Sequence, residues 1–164
     1  MSPDVPTRHG AACGVAQILL GLKDCSHSLP ADVESKVVGL VPAVEKARLF
    51  RGRGGEAMRS ACCRVVQAIA LVGLPLQDKQ IQRFMESVAE NLKHPTEDIV
   101  KSAVAAVHAM SRFYFGKLPS SWQGDIVRQY LGKLQDSNPA VRRGFALALG
   151  ALAPAVLGAE DEDM

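Results

Sequence analysis

A short pattern that recurs along the chain constrains its fold more than any other feature of the sequence. The pattern is a basic residue followed two positions later by Gly or Ala, and then by further small residues. Four copies occur, and their basic residues are 51, 42 and 41 residues apart. The four pairs are Arg8 and Gly10, Arg59 and Ala61, Lys101 and Ala103, and Arg142 and Gly144. A period of this length indicates a chain built from repeated helical units.

Positions further along each copy keep the same register. Seven residues after the basic residue stand Val15, Val66, His108 and Leu149, and ten residues after it stand Ile18, Ile69, Ser111 and Leu152. The third copy is the weakest match. Two helices of a hairpin can cross closely when Gly or Ala lies at the crossing, because no large side chain then separates their backbones. The small residue of each copy is therefore expected at such a crossing.

The segments between the copies have the periodicity of partner helices. Ile81, Phe84 and Val88, for example, lie on one face of a helix. The predicted helices are 5–22, 32–48, 56–72, 78–93, 97–114, 121–135 and 139–152. They form three complete pairs after one unpaired first helix, and no strand pattern is found. Pro42 is expected to bend the second helix because it removes one backbone hydrogen bond.

Several residues are placed to begin helices. Asp32 follows Pro30 and is expected to cap the second helix, and Thr96 precedes two acidic residues that suit the positive end of a helix. Asn138 followed by Pro139 combines a capping side chain with a proline at the first helical position.

The composition fits closely packed helices and argues against two classes of protein. Of the 164 residues, 48% are hydrophobic but only 5% are aromatic. The net charge of +2 is too small for the concentrated basic field of a duplex DNA-binding protein. The longest uncharged run, 145–159, is interrupted by Gly and Pro and is shorter than the ~18–20 residues of a membrane span. We therefore expect a soluble protein, and the first residues do not have the pattern of a signal peptide.

A period near 40 with a small residue early in each second helix resembles the HEAT repeat. This resemblance implies an all-α fold, a HEAT/armadillo-like α-solenoid of antiparallel helical hairpins with about 3.5 repeats. We expect this solenoid to occupy residues 1–153. Residues 154–164 are then an acidic tail, which is predicted to be disordered.

Three stretches carry a more specific resemblance, to the tubulin-folding cofactor D (tubulin-specific chaperone D) family. The first is Thr-Arg-His-Gly-Ala-Ala-Cys-Gly-Val-Ala from Thr7. The second, Lys-Ala-Arg-Leu-Phe-Arg-Gly-Arg-Gly-Gly-Glu-Ala-Met-Arg from Lys46, is the most distinctive because its glycine-arginine loop is not part of a generic repeat. The third runs from Leu-Pro-Ser-Ser-Trp-Gln at Leu118 through the segment 135–152. The likeness covers about residues 2–152.

The resemblance implies a cytoplasmic, cytoskeleton-associated protein that acts as a chaperone in tubulin complex assembly. Members of this family bind β-tubulin and build and dismantle the α/β-tubulin heterodimer with cofactors C and E and an Arf-like small GTPase. Within that assembly they promote GTP hydrolysis by tubulin, so the family acts as a GTPase activator and not as an independent enzyme. The family's chain is much longer than this one, so the sequence is expected to be a fragment or an alternative product. The alternative interpretation is that the chain is a structural spacer within a longer HEAT-repeat scaffold and makes no direct contact with a partner.

No pattern of catalytic, cofactor-binding or metal-binding residues is predicted. The four histidines lie in different repeats and are interpreted as structural or solvated. Of the cysteines, Cys13, Cys62 and Cys63 stand in Ala- and Val-rich helical runs and are interpreted as small buried residues of a reducing compartment. A zinc site at Cys25 and His27 is disfavoured because no second ligand pair stands at a suitable spacing. The glycines at 52–55 lack the lysine and the preceding strand of a phosphate-binding loop.

A cluster of basic residues is the strongest candidate for a binding surface. Its six members lie within 19 residues: Lys46, Arg48, Arg51, Arg53, Arg59 and Arg64. They are interpreted either as a solvated loop and helix end, or as an electropositive patch for an acidic partner such as tubulin. A nucleic-acid site is a third interpretation, which the lack of an aromatic platform disfavours. The predicted partner-binding residues are Arg48, Arg51, Arg53, Arg64, Gln67, Arg112 and Arg143.

The repeated basic residues also have a structural interpretation. In HEAT repeats this position often pairs with an Asp in the preceding turn, and Asp136 stands six residues before Arg142. The equivalent positions before Arg8, Arg59 and Lys101 are not acidic, so such a ladder of pairs would be incomplete.

Overall fold

The fold is all-α. The computed structural model of the chain describes residues 5–24 and 29–152, and these residues contain no β-strand. The helices are α1 (Val5–Asp24), α2 (Ala31–Lys46), α3 (Gly55–Val72), α4 (Asp78–Leu92), α5 (Glu97–Phe113), α6 (Ser120–Gly132) and α7 (Pro139–Ala151). Short 3-10 helices follow α5 at Phe115–Lys117 and α6 at Lys133–Gln135. The predicted acidic tail and the pair Cys25 and His27 lie outside the described residues.

The observed helices begin and end within two residues of the predicted bounds, except at the end of α6. There the last three predicted residues form a 3-10 helix, which tightens the final turn. The predicted cap at Asp32 is wrong, because α2 begins at Ala31 after Pro30 and Asp32 instead pairs with Lys36 at 3.4 Å. Asn138 caps α7 as predicted, since its Oδ1 accepts the N–H of Ala140 at 2.9 Å. Thr96 precedes α5 but makes no side-chain cap.

The chain divides between Leu74 and Pro75 into two compact units. In the first unit, α1 packs along α3, and α2 also contacts α3. The buried residues of α1 are Ala12, Ala16 and Leu19, which recur at helical spacing and therefore lie on one face of the helix. The rest of this core comes from α2 and α3. Its members include Val37, Val38, Val41, Val44, Met58, Ala61, Cys62, Cys63, Val65, Val66 and Ile69.

In the second unit, α4 packs against α5, α6 packs against α7, and α5 packs against α7. Helices thus contact near neighbours in the sequence, which is the packing of a helical-repeat solenoid. The core combines one face of each helix with the residues that follow α5. Its largest members are Phe84, Tyr114, Phe115, Tyr130 and Phe145. The predicted single solenoid segment over 1–153 remains a prediction.

The glycines of the repeated pattern differ in their surroundings. A Cβ on Gly144 would overlap the carbonyl oxygen of Leu92, the last residue of α4, and would lie 2.8 Å from its carbonyl carbon. Gly144 therefore allows the close approach of α7 to the end of α4. The sequence pattern had placed this close crossing with α6, the expected hairpin partner of α7. Gly10 is exposed, and a Cβ there would have no neighbouring atom within 4 Å among the described residues. No close crossing is seen at Gly10 among the described residues, and the sequence pattern had left this first helix without a hairpin partner.

Some large apolar side chains of the helices are not in the core. Ile18 is 64% exposed, although its equivalents Ile69, Ser111 and Leu152 are buried. Leu131 on α6 is 49% exposed. Helical periodicity predicts which face of a helix is apolar, but burial requires a neighbour on that face.

Candidate functional site

The most distinctive surface of the first unit is the connection between α2 and α3, which we call the arginine loop (residues 47–54). After α2 the chain turns at Arg48, which has a φ of 55°, and the N–H of Leu49 returns to the carbonyl of Val44 at 3.1 Å. A non-glycine residue in this left-handed region costs roughly 1–2 kcal/mol. The surrounding turn therefore stabilises Arg48 in a conformation that presents its side chain to solvent.

The second half of the arginine loop depends on its glycines. Gly52 and Gly54 have φ angles of 77° and 84°, which favour glycine. Gly55 begins α3 directly against Phe50, and a Cβ there would overlap the carbonyl oxygen of Phe50. The N–H of Gly55 donates to the carbonyl of Gly52 at 3.1 Å. This close backbone packing explains why the segment needs so many glycines.

An aromatic contact holds the arginine loop against α3. The guanidinium of Arg59 lies over the ring of Phe50, 5.0 Å from its centroid. Such a cation–π contact contributes about 0.5–1 kcal/mol at a partly exposed site. Arg59, predicted as a structural repeat position, thus contacts the arginine loop through Phe50. The sequence analysis did not predict this contact.

Three arginines project from the arginine loop into solvent. Arg48, Arg51 and Arg53 are exposed, and their side chains make no ion pair or hydrogen bond to any residue that the structure describes. Residues 45–64 hold six basic and two acidic side chains, a net charge of +4, whereas the whole chain has a net charge of +2. The positive charge of the protein is therefore concentrated at this loop and the start of α3. Such a field attracts acidic partners.

The other predicted partner-binding residues are distributed over both units. Arg64 is exposed and Gln67 is half-buried on α3 of the first unit. Arg112 is exposed at the end of α5, with its guanidinium 5.8 Å from the ring centroid of Phe113. Arg143 is exposed on α7 and donates to the carbonyl of Pro95 at 3.4 Å. Within the first unit, Arg48, Arg51 and Arg53 are brought together on one loop. The role of all seven remains a prediction.

Arg143 lies at the edge of a groove between α5 and α7, with a volume of about 500 Å³. The apolar residues of the groove include Val100, Val104 and Leu147, and Leu147 is 50% exposed. His108, which the sequence placed at an apolar repeat position, is exposed here, and its Nδ1 lies 3.0 Å from the carbonyl oxygen of Ala151. The sequence analysis did not predict this groove.

The remaining repeat positions differ in burial and in their contacts. Lys101 pairs with Glu97 at 2.9 Å, whereas Ala61 and Ala103 are fully buried and Arg8 is half-buried. Arg142 does contact the preceding turn, but through backbone: its Nη1 donates to the carbonyls of Asp136 at 2.8 Å and Ser137 at 3.0 Å. The predicted pairing with the carboxylate of Asp136 is therefore wrong.

The carboxylate of Asp136 stabilises the same turn in a different way. It accepts the N–H of Asn138 at 3.0 Å and lies 3.6 Å from Lys133 Nζ. The N–H of Asn138, followed by the charges of Lys133 and Arg142, lowers the pKa of this carboxyl below its usual value. The carboxylate thus orders the residues that Arg142 contacts.

The cysteines do not form a reactive centre in the described part of the chain. Burial, with smaller contributions from Cys63 and Glu45, raises the pKa of Cys62 to about 12. A thiol with so high a pKa is a poor nucleophile. Cys13 is half-buried, with its sulfur 3.6 Å from Nε2 of His9. Nowhere in residues 5–24 and 29–152 do three His, Cys, Asp or Glu side chains gather in a way that could hold a metal ion.

The chain is similar to a protein that carries a functional name. The chain is 23% identical over 117 residues to a protein named tubulin-specific chaperone D from Dictyostelium discoideum. The similarity suggests the tubulin-specific chaperone D family. The matched region is 69% of this chain and 8% of the Dictyostelium chaperone D, so the chain spans a small part of that protein. No protein-family model and no solved structure matches the chain.

None of the described helices is both long and apolar enough to cross a bilayer.

Proposed function

We propose that this chain is a segment of a tubulin-folding cofactor and contacts β-tubulin, alone or in the α/β-tubulin heterodimer, through the arginine loop. In this role it helps to assemble and dismantle the heterodimer as part of a longer helical-repeat chaperone. It is not an enzyme, and it promotes GTP hydrolysis by tubulin only together with cofactors C and E and an Arf-like small GTPase. Its place is the cytoplasm, in association with the cytoskeleton.

The observation that carries this proposal is the pre-formed arginine loop. The backbone hydrogen bonds of the loop and the contact between Phe50 and Arg59 hold the backbone of Arg48, Arg51 and Arg53 in place. Because the loop is already ordered, less conformational entropy is lost when a partner binds. Tubulin is acidic, so charge complementarity would speed association and fix its orientation. The similarity to the Dictyostelium chaperone D supports tubulin as the partner.

The proposal is tested by co-elution of the purified chain with αβ-tubulin on a sizing column at low and moderate salt. We expect co-elution at low salt, weaker co-elution at moderate salt, and loss of co-elution for the double variant Arg51→Glu, Arg53→Glu. The matched control is Lys79→Glu, Lys117→Glu, which changes the net charge equally at two exposed positions outside the loop. This control should co-elute nearly as well as the unmodified chain.

The other outcomes distinguish the alternatives. A folded chain that does not co-elute at either salt favours the structural spacer, whose repeats only join distant binding parts of the longer protein. Equal loss in both double variants means that net charge, and not the arginine loop, governs binding. An affinity for RNA that falls steeply with salt would favour a nucleic-acid scaffold.

A further inference from the structure

A second surface feature of the second unit is a pocket between α4 and α6. The pocket has a volume of about 140 Å³. Two of its residues, Met85 and Tyr130, are fully buried and form its floor. Trp122 and Ile126 are half-buried and form its walls, whereas Glu86 and Asp125 are exposed at its mouth. The pocket thus joins an apolar interior with an aromatic wall and an acidic mouth.

The size of the pocket limits what it can hold. A cavity of roughly 150 Å³ accommodates one benzene ring. The pocket therefore fits a single flat group or one side chain and is too small for a nucleotide or a drug-sized ligand, whose sites measure about 300–1,000 Å³.

Of the two carboxylates at the mouth of the pocket, one is paired with a cationic side chain of the described residues and the other is not. Asp125 is paired with Arg128 at 2.5 Å. Glu86 accepts a hydrogen bond from the neutral amide of Gln82 at 3.2 Å, and no cationic side chain of the described residues pairs with it. The carboxylate of Glu86, at a pocket that Trp122 also lines, is therefore available to a cation from outside.

We propose that this pocket binds the side chain of an arginine from a partner protein. The planar guanidinium stacks on the indole of Trp122 and pairs with the carboxylate of Glu86, while the methylene stem packs on the wall residue Ile126. Arginine fits better than lysine because its planar group stacks on an aromatic ring and meets a carboxylate through two parallel hydrogen bonds. This site lies in the second unit and does not depend on the tubulin proposal.

The structure offers a direct probe of this site. Trp122 is the single tryptophan of the chain, so its fluorescence reports on the pocket. The full chain is titrated at constant ionic strength with the capped tripeptides Ala-Arg-Ala, Ala-Lys-Ala and Ala-citrulline-Ala. We expect a saturable change in fluorescence with the arginine peptide. The citrulline peptide has the same shape without the charge. Its affinity should be at least about fivefold lower than that of the arginine peptide.

Substitutions separate the pocket from general surface charge. Glu86→Gln should weaken binding of the arginine peptide about two- to fivefold, the range expected for an exposed charge pair. Glu90→Gln is the matched control, since Glu90 lies one turn further along α4, is exposed, and does not line the pocket. It should leave the affinity unchanged. Far-UV circular dichroism of each variant confirms that the chain is folded.

Three results would overturn the proposal. They are a lack of saturable change with the arginine peptide, equal binding of arginine and citrulline peptides, and an equal effect of Glu86→Gln and Glu90→Gln. If the lysine peptide bound as tightly as the arginine peptide, the proposed stacking of a guanidinium on Trp122 would be wrong.

Discussion

Gly144 of α7 lies against the backbone carbonyl of Leu92, the residue that ends α4. The approach is so close that no side chain fits between them, because a Cβ on Gly144 would overlap the carbonyl oxygen. The contact joins the second helix of one helical pair to the end of the first helix of the preceding pair. Its surroundings are fully buried, since Leu92 and Phe145 are both inaccessible to solvent.

Gly144→Ala should therefore destabilise the protein, although Ala normally favours a helix over Gly by up to about 1 kcal/mol. We expect a loss of about 1–3 kcal/mol in the free energy of unfolding, the usual range for overpacking. The control is Gly150→Ala in the same helix, where a Cβ would have no neighbour within 4 Å in the described part of the chain. It should be neutral or slightly stabilising. Urea unfolding followed by circular dichroism measures both, and a stabilised Gly144→Ala variant would contradict the close contact.

Tyr130→Phe should not destabilise the second unit. The hydroxyl of Tyr130 is buried and makes no hydrogen bond to any residue that the structure describes. An unsatisfied buried polar group costs about 1–3 kcal/mol, so its removal should leave the free energy of unfolding unchanged or raise it by up to about 1 kcal/mol. The variant keeps the edge-to-face contact with Phe145, whose ring centroid is 5.0 Å away. A loss above 1 kcal/mol in urea unfolding would show that the hydroxyl has a partner.

Stability should fall as the pH rises above about 9. Burial raises the pKa of Cys62 to about 12 and that of Tyr130 well above its usual value of 10.0. The unfolded chain releases these protons at lower pH than the folded chain, so alkaline pH favours unfolding between the two pKa values. Each such group contributes a slope of about 1.4 kcal/mol per pH unit within its window.

The measurement of this pH effect is the urea midpoint at several pH values from 8 to 10.5. Cys62→Ala should reduce the slope between pH 9 and 10, where the unfolded thiol titrates but the folded thiol does not. A midpoint that does not change from pH 8 to 10.5 would contradict the burial of these groups.

Arg142→Ala should destabilise the turn before α7 by about 1 kcal/mol, because two hydrogen bonds to the carbonyls of Asp136 and Ser137 are lost. Asp136→Asn should cost less, since an amide oxygen can still accept the N–H of Asn138. A double-mutant cycle in urea unfolding compares the two. We expect a small coupling energy, because Arg142 contacts the backbone carbonyl, which the substitution keeps. A coupling near 1 kcal/mol would instead indicate a carboxylate pair.

The repeated pattern predicted the helices well but not their contacts. Gly10 and Gly144 occupy the same position of the pattern, yet one is exposed and the other meets the end of α4. Ile18 and Ile69 are likewise equivalent, and only Ile69 is buried. A local pattern specifies the face of a helix, whereas the atoms that cover this face come from distant parts of the chain.

Of the candidate sites, one could be predicted from the sequence and one could not. The basic cluster was visible in the sequence because its members are close along the chain, and the arginine loop brings three of them together. The pocket between α4 and α6 was not visible, because Glu86 and Trp122 are 36 residues apart and neither belongs to a motif. The packing of two helices brings a carboxylate and an indole to the same pocket.

The sequence by itself determined the all-α class, the positions of the helices and the concentration of positive charge between α2 and α3. These properties follow from local periodicity, capping residues and the order of charged side chains, which require no knowledge of distant contacts. The tertiary structure alone decided which small residues permit close approach, that Arg142 binds backbone carbonyls, and where the pocket and the groove lie. Each of these depends on the relative placement of helices, which is set by the summed packing of many side chains and not by any short segment.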